Sequence, residues 1–167
     1  MTAPHPTGRP AVGPLVIGLG NDLRRDDACG LEVARRLRDR VGGAARIVEC
    51  DGEVGHLLDL WNGVDWVVVV DAVRSGGTPG TVLRLALPSD RVGGTARGTG
   101  STHGLSLGEA VGLAEALGRR PPRVEVVGIE GTDFALGSGL SPAVEAAVEQ
   151  VVERLAVELG GGSATSA

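Results

Sequence analysis

The sequence contains no lysine and no tyrosine, and aromatic residues make up only 2 % of its 167 positions. A core built from it must be aliphatic, of Val, Leu and Ala, and all 16 basic side chains are Arg. Its two cysteines, Cys29 and Cys50, are too few to suggest a disulfide framework in a chain of this length. No apolar run approaches the roughly 20 residues needed to cross a bilayer. The opening stretch, MTAPHPTGRPAVG, has no apolar segment of the signal-peptide kind. A soluble cytoplasmic protein with no membrane partner is the expectation. The net charge is −5. The one basic cluster, Arg35, Arg36, Arg38 and Arg40, falls on a helical pattern with acidic neighbours and reads as a solvated face. The basic footprint of a nucleic-acid binder is missing.

What is present suits one domain. Hydrophobic residues make up 42 % and charged residues 22 %, enough for a core and too apolar for a disordered chain. Residues 1–13 are rich in Pro and Gly and read as a loose arm. Residues 160–167 read as a loose tail, leaving 14–159 as a single α/β domain, with a monomer expected. Leu15–Leu19 reads as a buried strand ending in Gly20-Asn21. Asp27–Val41 follows with Leu31, Ala34, Leu37 and Val41 at helical spacing. Arg46–Cys50 reads as a strand and Gly55–Trp61 as a short helix. Trp66–Val70 is a continuous apolar run, the pattern of a central strand covered on both faces.

Thr81–Leu87 alternates like an edge strand. Ser89–Thr102 is rich in Gly, Ser and Thr and reads as a flexible loop. His103–Leu117 is helical, with Ser106 and Glu109 at capping-box spacing. Arg123–Ile129 is a further strand. Ser141-Pro142 pairs an N-cap with a proline at the first helical position, and the helix that follows buries Val144, Val148, Val151 or Val152, and Leu155. The alternation predicts a three-layer α/β fold. Its twisted sheet has about five strands, mostly parallel with one antiparallel edge strand, and helices cover both faces. Ligands in such sheets sit beyond the carboxyl ends of the strands.

Three groups fall at that edge. Asp26 and Asp27 lie after the first strand, Asp71 closes the valine run, and His103 opens a helix. Carboxylates brought close raise one another's pKa unless a cation joins them. Two carboxylates with a neutral imidazole make a three-ligand open metal site, one that zinc, nickel, iron or manganese could each occupy. Each residue also has a plain structural role available. Asp26 or Asp27 can cap the first helix, Asp71 can serve as a turn residue, and His103 can be an exposed helix start. Gly18-Leu19-Gly20-Asn21 fails the dinucleotide fingerprint, because Leu23 stands where its third glycine belongs. Cys29, in a first helical turn, competes as a cysteine-peptidase nucleophile with its reading as a small buried thiol. His56 and Asp59 face solvent on the short helix as minor candidates for substrate contact. His5 belongs to the arm, and Trp61 and Trp66 read as packing residues.

The run Gly18-Leu19-Gly20-Asn21-Asp22-Leu23-Arg24-Arg25-Asp26-Asp27-Ala28-Cys29-Gly30 resembles the opening signature of the hydrogenase maturation proteases. Val67-Val68-Val69-Val70-Asp71-Ala72-Val73 is similar to that family's second acidic motif. Ser101-Thr102-His103-Gly104-Leu105-Ser106-Leu107 is similar to its histidine motif. The resemblance runs from about Leu15 to Leu159. It implies an endopeptidase that removes a C-terminal extension from the precursor of the nickel-iron hydrogenase large subunit. It also implies that Asp27, Asp71 and His103 bind nickel, which belongs to the substrate and acts as the only cofactor. Asp26 matches the first acid of the pair, which is not a ligand, and stays a possible base. Three alternatives remain at this point: a nickel-sensing chaperone that cleaves nothing, a cysteine peptidase using Cys29, and a nucleotide-binding regulatory domain. One segment departs from the family. Asp51-Gly52-Glu53-Val54-Gly55 stands where the family often shows Gly-Gly-Thr, which bears on substrate choice.

Overall fold

The computed structural model describes residues 13–87, 102–119, 121 and 123–161, the side chains of 102–106 excepted. The expected arm up to residue 12, most of the glycine-rich loop (88–101) and the tail from 162 lie outside them. Five strands form one sheet: β1 (Leu15–Leu19), β2 (Arg46–Cys50), β3 (Trp66–Val73), β4 (Val82–Leu87) and β5 (Arg123–Glu130). Their order is β2-β1-β3-β5-β4. All neighbours are parallel except β4, which runs antiparallel to β5 at the edge. Four helices accompany them: α1 (Cys29–Val41), α2 (Val54–Trp61), α3 (Thr102–Ala116) and α4 (Pro142–Gly160). The fold is the expected three-layer α/β arrangement.

The period-2 alternation of the strands divides the interior into two cores. Val16, Val68, Val70, Ala72, Val127 and Ile129 point to the face covered by α1 and α4, where Val33, Leu37, Val148, Val152 and Leu155 meet them. Leu15, Ile17, Leu19, Val67 and Val69 point the other way, onto Leu57 and Trp61 of α2 and Leu107, Ala110 and Ala114 of α3. Full burial of each such aliphatic side chain is worth about 1.5–3 kcal/mol. Helices that present a row of them are therefore held to the sheet by packing more than by propensity. Trp61 is wholly buried, as a packing residue should be. Trp66 is half-buried, under the Arg123 guanidinium at 4.2 Å.

Local boundaries move where tertiary contacts decide them. A 3₁₀ turn, Arg25–Ala28, precedes α1, so the acidic pair lies in that turn rather than in the helix. Helix α3 opens at Thr102, so Ser106 and Glu109 stand inside it and form no capping box. Strand β3 continues to Val73, because β5 pairs with it from Trp66 to the end. Ser141 and Pro142 do start α4. The arginine cluster is the predicted polar face, and it ties elements together. Arg35 reaches Asp22, Glu32 and Glu49, Arg36 reaches Glu145 and Glu149, and Arg40 reaches Glu149, so α1 is linked to β2 and α4.

Candidate functional site

The chain order fixes where a ligand can enter. After β1 the chain steps to β2 on one side, and β3 returns to the other side of β1. The carboxyl ends of β1 and β3 thus flank the point where strand order reverses, the usual crevice of an open α/β sheet. Two glycines bring α1 down onto that crevice. A side chain on Gly30, in the first turn of α1, would lie 2.3 Å from the Leu19 carbonyl oxygen and 2.4 Å from that of Val70. One on Gly18 would lie 2.2 Å from the Gly30 carbonyl oxygen. Only bare backbone permits this approach, and it seats the acidic turn beside the end of β3.

Asp27 is buried in the 3₁₀ turn, and Asp71 is buried in β3. Pairing between β1 and β3 stops at Val70, so Asp71 is the first β3 residue beyond β1. One of its oxygens, Oδ1, accepts the Ala72 N–H at 2.8 Å. By alternation it belongs to the row of Val67 and Val69, the face on which α3 packs. His103 is the second residue of α3. This helix leads into β5, which is parallel to β3, so its opening turn lies toward the carboxyl edge. Backbone topology thus places Asp27, Asp71 and His103 at one edge. Cys29 reports the nearness of the acids from below. Burial first, and then the charges of Asp71, Asp26 and Asp27, push its thiol well above the ordinary range. A fully buried thiol so disfavoured as thiolate is a packing group and a poor nucleophile.

Asp26 does different work. It is fully buried and caps neither helix. Its Oδ2 accepts the N–H groups of Thr132 and Asp133, each at 2.9 Å, and the Ser141 hydroxyl at 3.0 Å. Its Oδ1 accepts the Ser141 N–H at 2.7 Å. Burial alone would raise the Asp26 pKa, but these donors outweigh it and hold the carboxyl below its usual range. Backbone bonds reinforce the grip, from Asp26 N–H to Asp133 O at 3.0 Å and from Arg25 N–H to Gly137 O at 3.1 Å. The loop after β1 is therefore clasped to the loop after β5, across the end of β3.

Glu130 repeats the device, and sequence inspection misses it. It is buried at the end of β5, where Oε1 accepts the N–H groups of Ser75, Gly76 and Gly77 and Oε2 accepts the Ser75 hydroxyl. Burial opposes its ionisation, yet these donors hold its pKa below the usual range. The loop after β3 is fixed in this way. A carboxylate at a strand end just before a glycine is the one sequence signal that could have flagged it.

A further set of donors gathers at the carboxyl end of β2. Cys50 Sγ lies 3.5 Å from His56 Nδ1 and 3.9 Å from Asp51 Oδ1. His56 and Asp59 are exposed on α2, as expected, but the contact of His56 with Cys50 is not visible in the sequence.

Comparison with known proteins identifies relatives of the chain and of its fold. The family model described as hydrogenase maturation protease (HycI) matches residues 32–158. The Hydrogenase 2 maturation protease of Escherichia coli (strain K12) is 28 % identical over 148 residues, spanning 87 % of this chain and 89 % of the relative. The solved hydrogenase maturating endopeptidase HybD from E. coli superposes with a TM-score of 0.74 at 27 % identity, covering 89 % of this chain and 94 % of that one. The [NiFe] hydrogenase maturation protease HybD from Thermococcus kodakarensis does so with a TM-score of 0.72 at 26 % identity, covering 89 % and 99 %. Because the family match runs from inside α1 nearly to the end of α4, and the fold agrees over almost nine-tenths of the sequence, the chain belongs to the hydrogenase maturation protease family.

Proposed function

We propose that this chain is the endopeptidase that removes the C-terminal extension from a nickel-loaded precursor of the nickel-iron hydrogenase large subunit. Asp27, Asp71 and His103 recognise the nickel, which arrives as part of the substrate. Membership of the family supports a peptidase acting in hydrogenase maturation. The observation that carries the nickel reading is the pair of buried carboxylates at the strand-order reversal, on a sheet edge toward which α3 opens at His103. Two carboxylates and a histidine carried to one sheet edge make a donor set that suits a borderline ion such as nickel. Docking on the metal would position the scissile peptide, and a carboxylate at the same edge can take a proton from the attacking water. The buried Cys29 thiol has no part in this chemistry. We assign the protein to the cytoplasm as a monomer that meets its precursor there.

The test is to incubate the chain with nickel-loaded and nickel-free precursor and to weigh the products. Only the loaded precursor should be shortened. Equal cleavage of both would overturn nickel recognition. Cleavage of neither would overturn the peptidase reading in favour of a nickel-sensing chaperone.

A further inference from the structure

The turn joining β2 to α2 holds three metal-ligating side chains that the proposed reaction does not use. Cys50 is buried, while Asp51 and His56 are exposed, and one ligand atom from each lies within 4.8 Å of the other two. An open cavity of about 330 Å³, lined by Gly20, Leu31, Glu49, Cys50, Asp51 and His56, adjoins them.

The two spacings to Cys50 Sγ approach those of a specific coordination geometry. Tetrahedral zinc with Zn–S about 2.3 Å and Zn–N about 2.0–2.1 Å requires sulfur and nitrogen about 3.5–3.6 Å apart. Sulfur and a carboxylate oxygen at about 2.1 Å from the metal require about 3.6 Å. The chain holds Sγ and Nδ1 at 3.5 Å and Sγ and Oδ1 at 3.9 Å. The Asp51 and His56 ligand atoms lie within 4.8 Å of each other, and because both side chains are exposed an ion can draw them together.

The surrounding backbone orients the donors. Gly52 has φ of +88°, a conformation that favours glycine and folds the turn tightly enough to face Cys50 toward His56. The Gly52 N–H donates to Cys50 Sγ at 3.3 Å, and the Glu53 N–H donates to Asp51 Oδ1 at 3.1 Å. Glu53 caps α2, accepting the N–H groups of Gly55 and His56 at 2.9 and 2.8 Å, which fixes the helical turn that carries the imidazole. Such outer hydrogen bonds are what hold metal ligands in place.

We propose that Cys50, Asp51 and His56 form a second metal site, separate from Asp27, Asp71 and His103, for a divalent ion of the zinc class. Thiolate and imidazole together select such an ion over magnesium or calcium. Binding releases the Cys50 thiol proton to solvent, and the thiolate and carboxylate balance the charge of the ion. Three protein donors leave the fourth position open toward the cavity, where water or a donor group of a bound polypeptide completes the shell. Asp51 lies within the segment 51–55 that departs from the resembled family's Gly-Gly-Thr pattern, and Cys50 and His56 flank it on either side.

The experiment is titration of the whole reduced chain with Co²⁺, followed by absorption, with Zn²⁺ as competitor. One ion per chain should bind with a sulfur-to-cobalt charge-transfer band that Zn²⁺ abolishes. Cys50→Ser should remove the band. His56→Ala, at an exposed position that carries little folding risk, should weaken binding by more than about tenfold, beyond the lower end of what loss of an outer-shell partner costs. Cys29→Ala and Asp71→Asn should both retain the band. No band in the parent chain, a band that survives Cys50→Ser, binding unaffected by His56→Ala, or a band lost with Asp71→Asn would each overturn the assignment.

Discussion

Replacing Asp26 with Asn keeps the volume of the side chain and removes one acceptor, so it separates a clasp from a base. Both carboxylate oxygens receive only donors: three backbone N–H groups and the Ser141 hydroxyl. An amide must turn its NH₂ toward one set. The less costly orientation keeps the oxygen for Thr132, Asp133 and the hydroxyl, and sets NH₂ against the Ser141 N–H, where the carboxylate accepted at 2.7 Å. That bond, worth about 1.5–3 kcal/mol with a charged acceptor, is lost and leaves a buried donor facing another. The bonds that remain become neutral and fall to roughly half their strength. These losses come to about 4–7 kcal/mol, and relief of the buried charge offsets part of them, leaving a net of about 3–5 kcal/mol. In a domain of this size each kcal/mol lowers Tm by about 2–4 °C, so Asp26→Asn should melt roughly 10 °C below the parent. Thermal unfolding by circular dichroism measures this, and limited proteolysis should show earlier cutting within residues 131–141. A Tm within about 2 °C of the parent, joined to lost cleavage of the precursor, would refute the clasp and make Asp26 a base.

Two more expectations follow from the same edge. Gly30→Ala should destabilise the chain by at least the roughly 1–3 kcal/mol typical of overpacking, because the added methyl meets two backbone carbonyls that cannot rotate away; a melting point equal to the parent's would show that α1 can lift off the sheet at no cost. Acid should also act through the clasps. The folded pKa values of Asp26 and Glu130 are lowered, so their stabilisation is complete above the unfolded values of about 3.9 and 4.3 and is lost as pH falls through the folded ones. Tm measured between neutral pH and pH ~3 should therefore drop below about pH 4, with a shallower fall in Asp26→Asn, and parallel curves would contradict this.

The sheet was legible because its signals are local. Leu15–Leu19 and Arg46–Cys50 end where Gly20 and Asp51 interrupt the apolar pattern, and the valine run of β3 announces a strand covered on both faces. The extension of β3 to Val73 was not legible, since it depends on pairing with β5, more than fifty residues away. Asp27, Asp71 and His103 could be placed at one edge from strand order alone. The work of Asp26 could not, because its partners lie 106 to 115 residues along the chain and three of the four bonds use backbone N–H groups, which leave no residue-type signature. Cys50 and His56 are only six residues apart, but whether they touch depends on the positive φ of Gly52. The Ser106–Glu109 spacing misled for the opposite reason: a capping box is short enough to arise by chance inside a helix.

The ion pairs that bind α1 to β2 and α4 have a consequence for alkaline solution. Every cation in them is a guanidinium, which does not deprotonate in proteins, and its partners hold Arg35 and Arg36 still higher. With lysine and tyrosine both absent, only the two thiols and the chain's amino terminus titrate between about pH 8 and about pH 12, above the ordinary range of the three histidines. The titration curve is almost flat over that range. Electrophoretic mobility and the charge that keeps molecules apart in solution stay nearly constant where most proteins of this size are shedding protons.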